Sequence, residues 1–387
     1  MNLGCTIAID VTSYLASRTG VGVCVGELVK ALLASPGEDR FKLCAVSARR
    51  EASATLCRSF PAVDGKICVR HLPLRFLSPL VDRSPWPKVE TLFGDDADVF
   101  HASPFLVPAS KKTAMVVTVY DLTPIRFPGF HLRSNLFTIR QLLRRLERVD
   151  LVMVLSDSTG RDLEEFGLVP RHRVRVIPLA ADACFRPVEQ EHREVPAKLG
   201  VGCEYVLNVG ALEPRKNLPR LFQAFRLLKN RYRIPHKLVV AGPRGWKDEE
   251  VFQSVRRMNL SDAVVFTGYV SDDTLNLLYN HAALLVYPSL YEGFGLPPLE
   301  AMAAGCPVAV SRTSSLPEVV GQAGVYFDPL EVEEIAQAIY RILDSPEFRA
   351  NLVELGRARS HEFSWQKTAE ATRQVYREAC ELRLRGL

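Results

Sequence analysis

Two carboxylates and two cations mark where this sequence could do chemistry. Glu292 and Glu300 stand with seven residues between them, inside the stretch YPSLYEGFGLPPLEAMAAGCP at 287–307. Gly293 and Gly295 follow the first acid and let the backbone approach a ligand closely. An apolar run at 282–286 precedes this turn, and a helical pattern carrying Leu299, Ala301, Met302 and Ala303 follows it. A glycine turn at a helix N-terminus gathers unpaired N–H groups at the positive end of the helix dipole, which suits phosphate or sugar hydroxyls. Glu300, further into the helix, suits hydrogen bonds from a diol such as a ribose. The plainer alternative is a tight strand-to-helix connection with two solvated acids.

The cations are Arg215 and Lys216, in the string GALEPRKNL that begins at Gly210. Placed over a diphosphate they would neutralise the charge that builds on a departing nucleotide. In the N-terminal half, a continuous apolar run at 114–119 ends in Tyr120 and Asp121, at the strand end where α/β proteins bind ligands. Asp121 suits two tasks equally, orienting a donor or acceptor and capping the next turn. Gly20 and Gly22 lie in a glycine-bearing loop that begins at residue 17 and runs into a helix with Val25, Leu28, Val29 and Leu32 on its apolar side. Three residues separate Gly22 from Gly26, so this is no dinucleotide fingerprint. Asp95, Asp96 and Asp98 invite a metal reading, but they open a strand pattern whose start acids would cap, and that is the better reading.

The complete string at 287–307 resembles the E-x7-E element of retaining family-4 glycosyltransferases, which have the two-domain GT-B fold. The resemblance spans nearly the whole chain and is strongest at 205–343. It implies that Glu292 and the turn of Gly293, Phe294, Gly295 and Leu296 meet the donor sugar and diphosphate, and that Glu300 holds the nucleotide ribose. It implies a phosphate-binding role for Arg215 and Lys216 beside Gly210, and a nucleobase held by backbone groups at Gly268, Tyr269 and Val270. Gly20 and Gly22 would lie beside the donor phosphates and the acceptor. Many relatives carry His where Tyr120 stands, close to the donor sugar; a phenol still hydrogen-bonds but titrates near 10 and is never cationic. The family implies front-face retention, with no covalent nucleophile and no metal. The LEPRKNL, GPRGW and FPGFH strings look like mannosyl- and deoxyhexosyltransferases of bacterial surface polysaccharides, implying a GDP-sugar, mannose or rhamnose-like, and a lipid-linked or polysaccharide acceptor. The competitors are a UDP-sugar-dependent glucosyl- or galactosyltransferase, a sugar-phosphate synthase or phosphorylase, and a non-catalytic nucleotide-sugar-binding partner of another transferase. A phosphorylase would need a pyridoxal-binding lysine, for which no context appears.

These residues need a frame to position them: the pattern supplies an α/β one, and the resemblance implies two Rossmann-like domains facing across a cleft, with a final helix crossing back to the first. Strands are expected at 6–11, 41–47, 69–72, 114–119, 151–155 and 174–178, then at 205–209, 237–241, 264–267, 282–286 and 308–311. The acceptor-binding domain is expected at 1–184, a polar linker at 185–200, the nucleotide-sugar domain at 201–362 and the crossing helix at 363–387. Residues 77–88, rich in proline, read as an irregular loop. Ser156 to Thr159 read as an N-cap cluster, Asp272 and Asp273 as the cap of a helix at 274–280, and a helix at 332–343 as the close of the second domain. A helix at 133–149 mixes leucines with Arg140, Arg144, Arg145 and Arg148. It either lies on an anionic membrane surface or, the favoured reading, buries its leucines and solvates its arginines.

At 387 residues the chain exceeds one ordinary core. Its net charge of +5 does not suggest nucleic acid. The excess lies in residues 1–182, with 24 Lys and Arg against 19 Asp and Glu. Nine scattered cysteines without a C-x-x-C pair argue for a reducing compartment. The N-terminal apolar run is too short for a signal peptide, and none reaches the ~18 residues that span a bilayer. A cytoplasmic protein, peripheral to the membrane at most, is expected.

Overall fold

The computed structural model describes residues 4–16, 20–63, 66–73, 87–188, 199–201 and 204–385. Most of the expected linker and most of the proline-rich segment lie outside them. The chain divides into two compact units: the first comprises 1–126, 133–179 and 365–387, the second 127–132 and 180–364.

The first unit is a seven-stranded parallel sheet, with β1 (Thr6–Asp10), β2 (Arg40–Val46), β3 (Ile67–Arg70), β4 (Val99–Ala102), β5 (Ala114–Val119), β6 (Leu151–Val154) and β7 (Val174–Val176) in the order β3-β2-β1-β4-β5-β6-β7. β1, β4, β5 and β6 are buried along their whole length, which is why their sequences are mostly apolar without alternation. The helix Trp365–Leu384 belongs to this unit and sinks Ala369, Val375, Tyr376 and Ala379 into its core. Polar ties fix it there. Tyr376 shares a 2.8 Å hydrogen bond with His101 Nδ1, and Arg373 pairs with Asp39 at 2.6 Å in a buried ion pair. Burial holds the His101 imidazole down at about 4, hence neutral.

The second unit is a six-stranded parallel sheet of β8 (Tyr205–Val209), β9 (Lys237–Ala241), β10 (Val264–Gly268), β11 (Leu284–Tyr287), β12 (Val308–Ser311) and β13 (Gly324–Phe327), in the order β10-β9-β8-β11-β12-β13. Phe222, Phe225, Leu284, Ile335 and Ile339 are among its core residues. The segment Phe127–Leu132 joins this unit through Trp246, whose Nε1 donates to Phe130 O at 2.7 Å, and through a ring contact of Phe127 with Tyr291 at 6.2 Å. Among the described residues no helix is long and apolar enough to cross a membrane.

Several expectations are corrected. Gly20 and Gly22 are not in a loop: the helix Gly20–Ala34 begins at Gly20, and residues 17–19 lie outside the described ones. Gly26 is there for packing, because a Cβ would sit 2.8 Å from the Tyr14 ring. β3 starts two residues before the expected 69. Arg145 is not solvated; it is 2% exposed on the buried side of the helix Arg133–Arg145, while Arg140 and Arg144 face water. Asp272 and Asp273 lie inside a first turn whose cap is Ser271, with Oγ accepting from Thr274 N at 3.3 Å. Helix Val332–Asp344 is followed by another, Pro346–Ser360. The Ser156 cap holds, accepting from Thr159 N at 3.2 Å. The three early acids bind within the protein, though not as caps of the strand they precede: Asp98 accepts from Thr6 N at 2.8 Å, Asp96 pairs with Lys42 at 2.7 Å and Asp95 with Lys112 at 3.8 Å.

Candidate active site

In the second sheet the strand order reverses between β8 and β11, so the loops leaving these neighbours part and open a crevice at their carboxyl ends. Both loops carry the candidate residues. After β8, a one-turn 3₁₀ helix Pro214–Lys216 holds the two cations. Asn217, in the left-handed region at φ 58°, then turns the chain into the helix Leu218–Leu227. Its amide donates to Pro288 O at 3.2 Å and Pro329 O at 2.7 Å, and Leu290 N donates to Arg215 O at 2.9 Å. The two loops are thereby laced together.

At their junction sits Glu292, 6% exposed. Lys216 Nζ donates to Glu292 Oε1 and to the Tyr287 hydroxyl, each at 2.6 Å. Arg215 Nη1 reaches Glu292 Oε2 at 2.5 Å and Tyr291 O at 3.1 Å, and Arg215 Nε reaches Glu213 Oε1 at 2.6 Å. Burial alone would favour a neutral acid, but Arg215 and Lys216 overcome it and lower the Glu292 carboxyl to about 2. Burial, with Arg215 adjoining, pushes the Lys216 ammonium below its ordinary value. Burial and Glu292 push the Tyr287 phenol well above its own.

The turn after Glu292 leads into the helix Leu296–Ala303, with Gly295 at its N-cap. Gly295 sits at φ 114°, and a Cβ there would meet Leu316 at 2.8 Å, so only glycine fits. Ser315 Oγ donates to Glu292 O at 2.9 Å and to Phe294 O at 2.6 Å, while Glu292 N donates to Ser314 Oγ at 2.9 Å. Two serines thus fix the backbone of the turn through Gly293 to Leu296. Within the helix, Glu300 Oε2 accepts from the Tyr279 hydroxyl at 3.0 Å. Burial pushes its carboxyl up to about 7; the Tyr279 hydrogen bond works against this, and the Asp272 and Asp182 charges add to it.

Gly210, Gly242 and Gly268 stand at the ends of β8, β9 and β10. A Cβ at Gly242 would lie 2.1 Å from Gly210 O, so these two strand ends approach as only glycine allows. A Cβ at Gly210 would lie 3.0 Å from Lys216 Cε. Gly268 N-terminal to Tyr269 and Val270 leaves the outermost strand, with the Tyr269 side chain 55% exposed. The structure therefore gathers Arg215, Lys216, Glu292 and Gly210 around one point, with Gly293 to Leu296 and Glu300 on the turn and helix that follow.

Gly20, Gly22, Tyr120 and Asp121 belong to the first unit, and that cluster to the second. Gly20 is exposed in the first helical turn and Gly22 buried. Tyr120 is half-buried at the end of β5, and burial pushes its phenol well above the ordinary value. Asp121 Oδ1 accepts from Thr123 N at 3.1 Å, the capping role. At the order reversal of this sheet, between β1 and β4, lies Asp10. It accepts from Thr12 N at 2.9 Å, Thr12 Oγ1 at 2.5 Å and Ser103 Oγ at 2.5 Å.

Sequence reasoning missed Glu213, Tyr287, Tyr279 and Ser315. Both Glu213 and Tyr287 fall inside the strings that drew notice, yet the Tyr287 partner, Lys216, lies on another strand's loop, and nothing local announces that Glu213 is buried beside Arg215. Tyr279, on a helix of mixed composition, carried no signal.

Two family models match the chain: "Glycosyltransferase Family 4" over residues 18–183 and "Glycosyl transferases group 1" over 191–359. The O-antigen chain mannosyltransferase B of Escherichia coli is 34% identical over 282 residues, covering 72% of this chain and 74% of that protein. The serotype-specific mannosyltransferase WbdA of Escherichia coli is 33% identical over 271 residues, 68% of this chain but 33% of its own length. Among solved structures, Anabaena HepE in complex with UDP and glucose superposes with a TM-score of 0.72 at 18% identity, covering 97% of this chain and 100% of that one.

Proposed function

The chain belongs to the group 1 glycosyltransferases, and on that footing we propose that it moves a hexose from a nucleotide-diphosphate sugar to a glycan acceptor with retention. The observation that carries this is the buried cluster of Arg215, Lys216 and Glu292 at the reversal point of the second sheet. In this reading the two cations take the donor diphosphate and stabilise the charge released as the glycosidic bond breaks, a task that needs no metal. Glu292 and the amides of Gly293 to Leu296 position the sugar. Glu300 accepts from the ribose hydroxyls, and Gly268, Tyr269 and Val270 meet the nucleobase. Both Glu292 oxygens are engaged by cations, which supports a mechanism without a covalent nucleophile: the leaving phosphate takes the acceptor proton. Gly20 and Gly22 are assigned to the donor phosphates and the acceptor, Tyr120 to the donor sugar, and Asp121 to orienting donor or acceptor.

The names of the relatives favour mannose and a product entering a surface polysaccharide such as O-antigen, and the carrier we assign, from the LEPRKNL, GPRGW and FPGFH strings, is GDP. The acceptor is a growing, lipid-linked or free, saccharide. A peripheral contact with anionic membrane fits the helix Arg133–Arg145, where Phe137 is 61% exposed beside Arg140 and Arg144. A second reading, a binding partner without turnover, draws on Tyr120 in place of a histidine.

The test is calorimetric titration of the protein with GDP, UDP, ADP and dTDP, followed by sugar transfer from each matching donor. GDP binding with mannosyl transfer is expected. UDP binding replaces the donor and keeps the class. Binding without transfer from any donor favours the second reading, and no binding at all removes the site.

A further inference from the structure

We propose that Glu213 is a positioning residue that sets the plane of the Arg215 guanidinium for the donor phosphates. This rests on the phosphate role proposed for Arg215.

Glu213 is 4% exposed, and a buried carboxylate is costly unless a cation and fixed geometry accompany it. Its cation is Arg215 Nε at 2.6 Å. Its backbone is clamped on both sides. Before it, Leu212 N donates to Pro243 O at 3.0 Å, and a Cβ at Gly245 would lie 2.5 Å from Leu212 O and 3.4 Å from Glu213 Cβ. The loop after β9 is therefore pressed against this stretch. After it, Lys216 N donates to Glu213 O at 3.0 Å and closes the one-turn helix.

A guanidinium is planar, so anchors on two different nitrogens fix its orientation as well as its place. Arg215 has Glu213 on Nε, and Glu292 with Tyr291 O on Nη1. These anchors differ in kind. Glu292 stands at the centre of the cluster, where a diphosphate would compete with it for Arg215. Glu213 holds another nitrogen and stays bound when that competition begins. Charges aimed before the reaction stabilise a leaving group without reorganising, and a misaimed donor can lose about 100-fold in rate.

The experiment compares the transfer kinetics of Glu213→Gln, Glu213→Asp and Glu213→Ala with those of wild type and Arg215→Ala. Gln keeps an oxygen for Nε without the charge; Asp keeps the charge without the reach. The expected result is kcat within about fivefold of wild type for Gln, and about 10- to 100-fold lower for Asp and Ala, with the acceptor KM unchanged. An impaired Gln beside an active Asp overturns the proposal and assigns Glu213 to charge balance. Wild-type kcat in a folded Ala variant overturns it too. If Ala does not fold, the Gln and Asp pair decides alone. If Arg215→Ala itself retains full turnover, the phosphate role of Arg215 fails, and the result is distinct from a failure confined to Glu213.

Discussion

Each sheet reverses its strand order at one place, and each puts a buried carboxylate there. In the first unit it is Asp10, in the second Glu292. Their surroundings are opposite. Asp10 meets the hydroxyls and backbone amides of Thr12 and Ser103, and burial raises its carboxyl above the ordinary value. Glu292 meets a guanidinium and an ammonium and is lowered to about 2. Equal burial thus gives opposite charge tendencies, and the neighbours decide. At the first reversal point an acid sits among hydroxyl and amide donors, at the second among cations.

The largest expected effect comes from breaking the charged side. Arg215→Ala should lower turnover about 10²- to 10³-fold, whereas Asp10→Asn should stay within a few-fold; comparable kinetic losses in the two would erase the contrast. Next, Glu292→Gln leaves the buried Lys216 without its acid and Arg215 with Glu213, and should cost about 3 kcal/mol in denaturant unfolding. The two acids also have opposite pH signatures. Because the Glu292 value is lowered, its stabilisation is complete above its ordinary 4.5 and disappears as pH falls toward 2, so acid unfolding should be gentler in Glu292→Gln. Asp10, raised, costs stability as pH climbs above its ordinary 3.8, so Asp10→Asn should gain relative to wild type in that direction.

Glu300 sharpens the comparison at smaller amplitude. If its ionised form receives the ribose, nucleotide affinity should rise about tenfold from pH 6 to pH 8, since its carboxyl titrates at about 7. Titration calorimetry in buffers of different ionisation heat would report the released proton; a flat profile would detach Glu300 from the nucleotide. Smallest of all, Tyr279→Phe removes a hydrogen bond that favours the ionised form, and should move that midpoint upward by a fraction of a pH unit.

How much of this was legible follows from what each signal depends on. Strands buried on both faces announce themselves, and 114–119, 205–209, 237–241 and 308–311 have the bounds read from sequence. The short edge strand β13 was overlooked, being four residues with alternating burial at the sheet's margin. So was Pro346–Ser360, which buries only Leu352, Gly356 and Ser360 and so lacks an apolar stripe. Arg145 went wrong for a related reason: helical periodicity places a residue on a face but does not say when a cation on that face is enclosed. In the site, the charged residues stood out by spacing, whereas Tyr279 and Tyr287 matter only through partners on other elements, and Glu213 only through its burial beside Arg215.

The closing helix of the first unit has a further consequence for how the molecule comes into being. Tyr376 and Arg373 complete a core begun by Ile7, His101 and Asp39, yet the whole second sheet is translated in between. As the chain leaves the ribosome, the second unit can finish first, while the earlier-born one waits with an open groove for its last helix. The twenty residues of this helix therefore act as a completion signal: a nascent chain that stalls before them holds a finished second unit and an unfinished first, a ready client for chaperones.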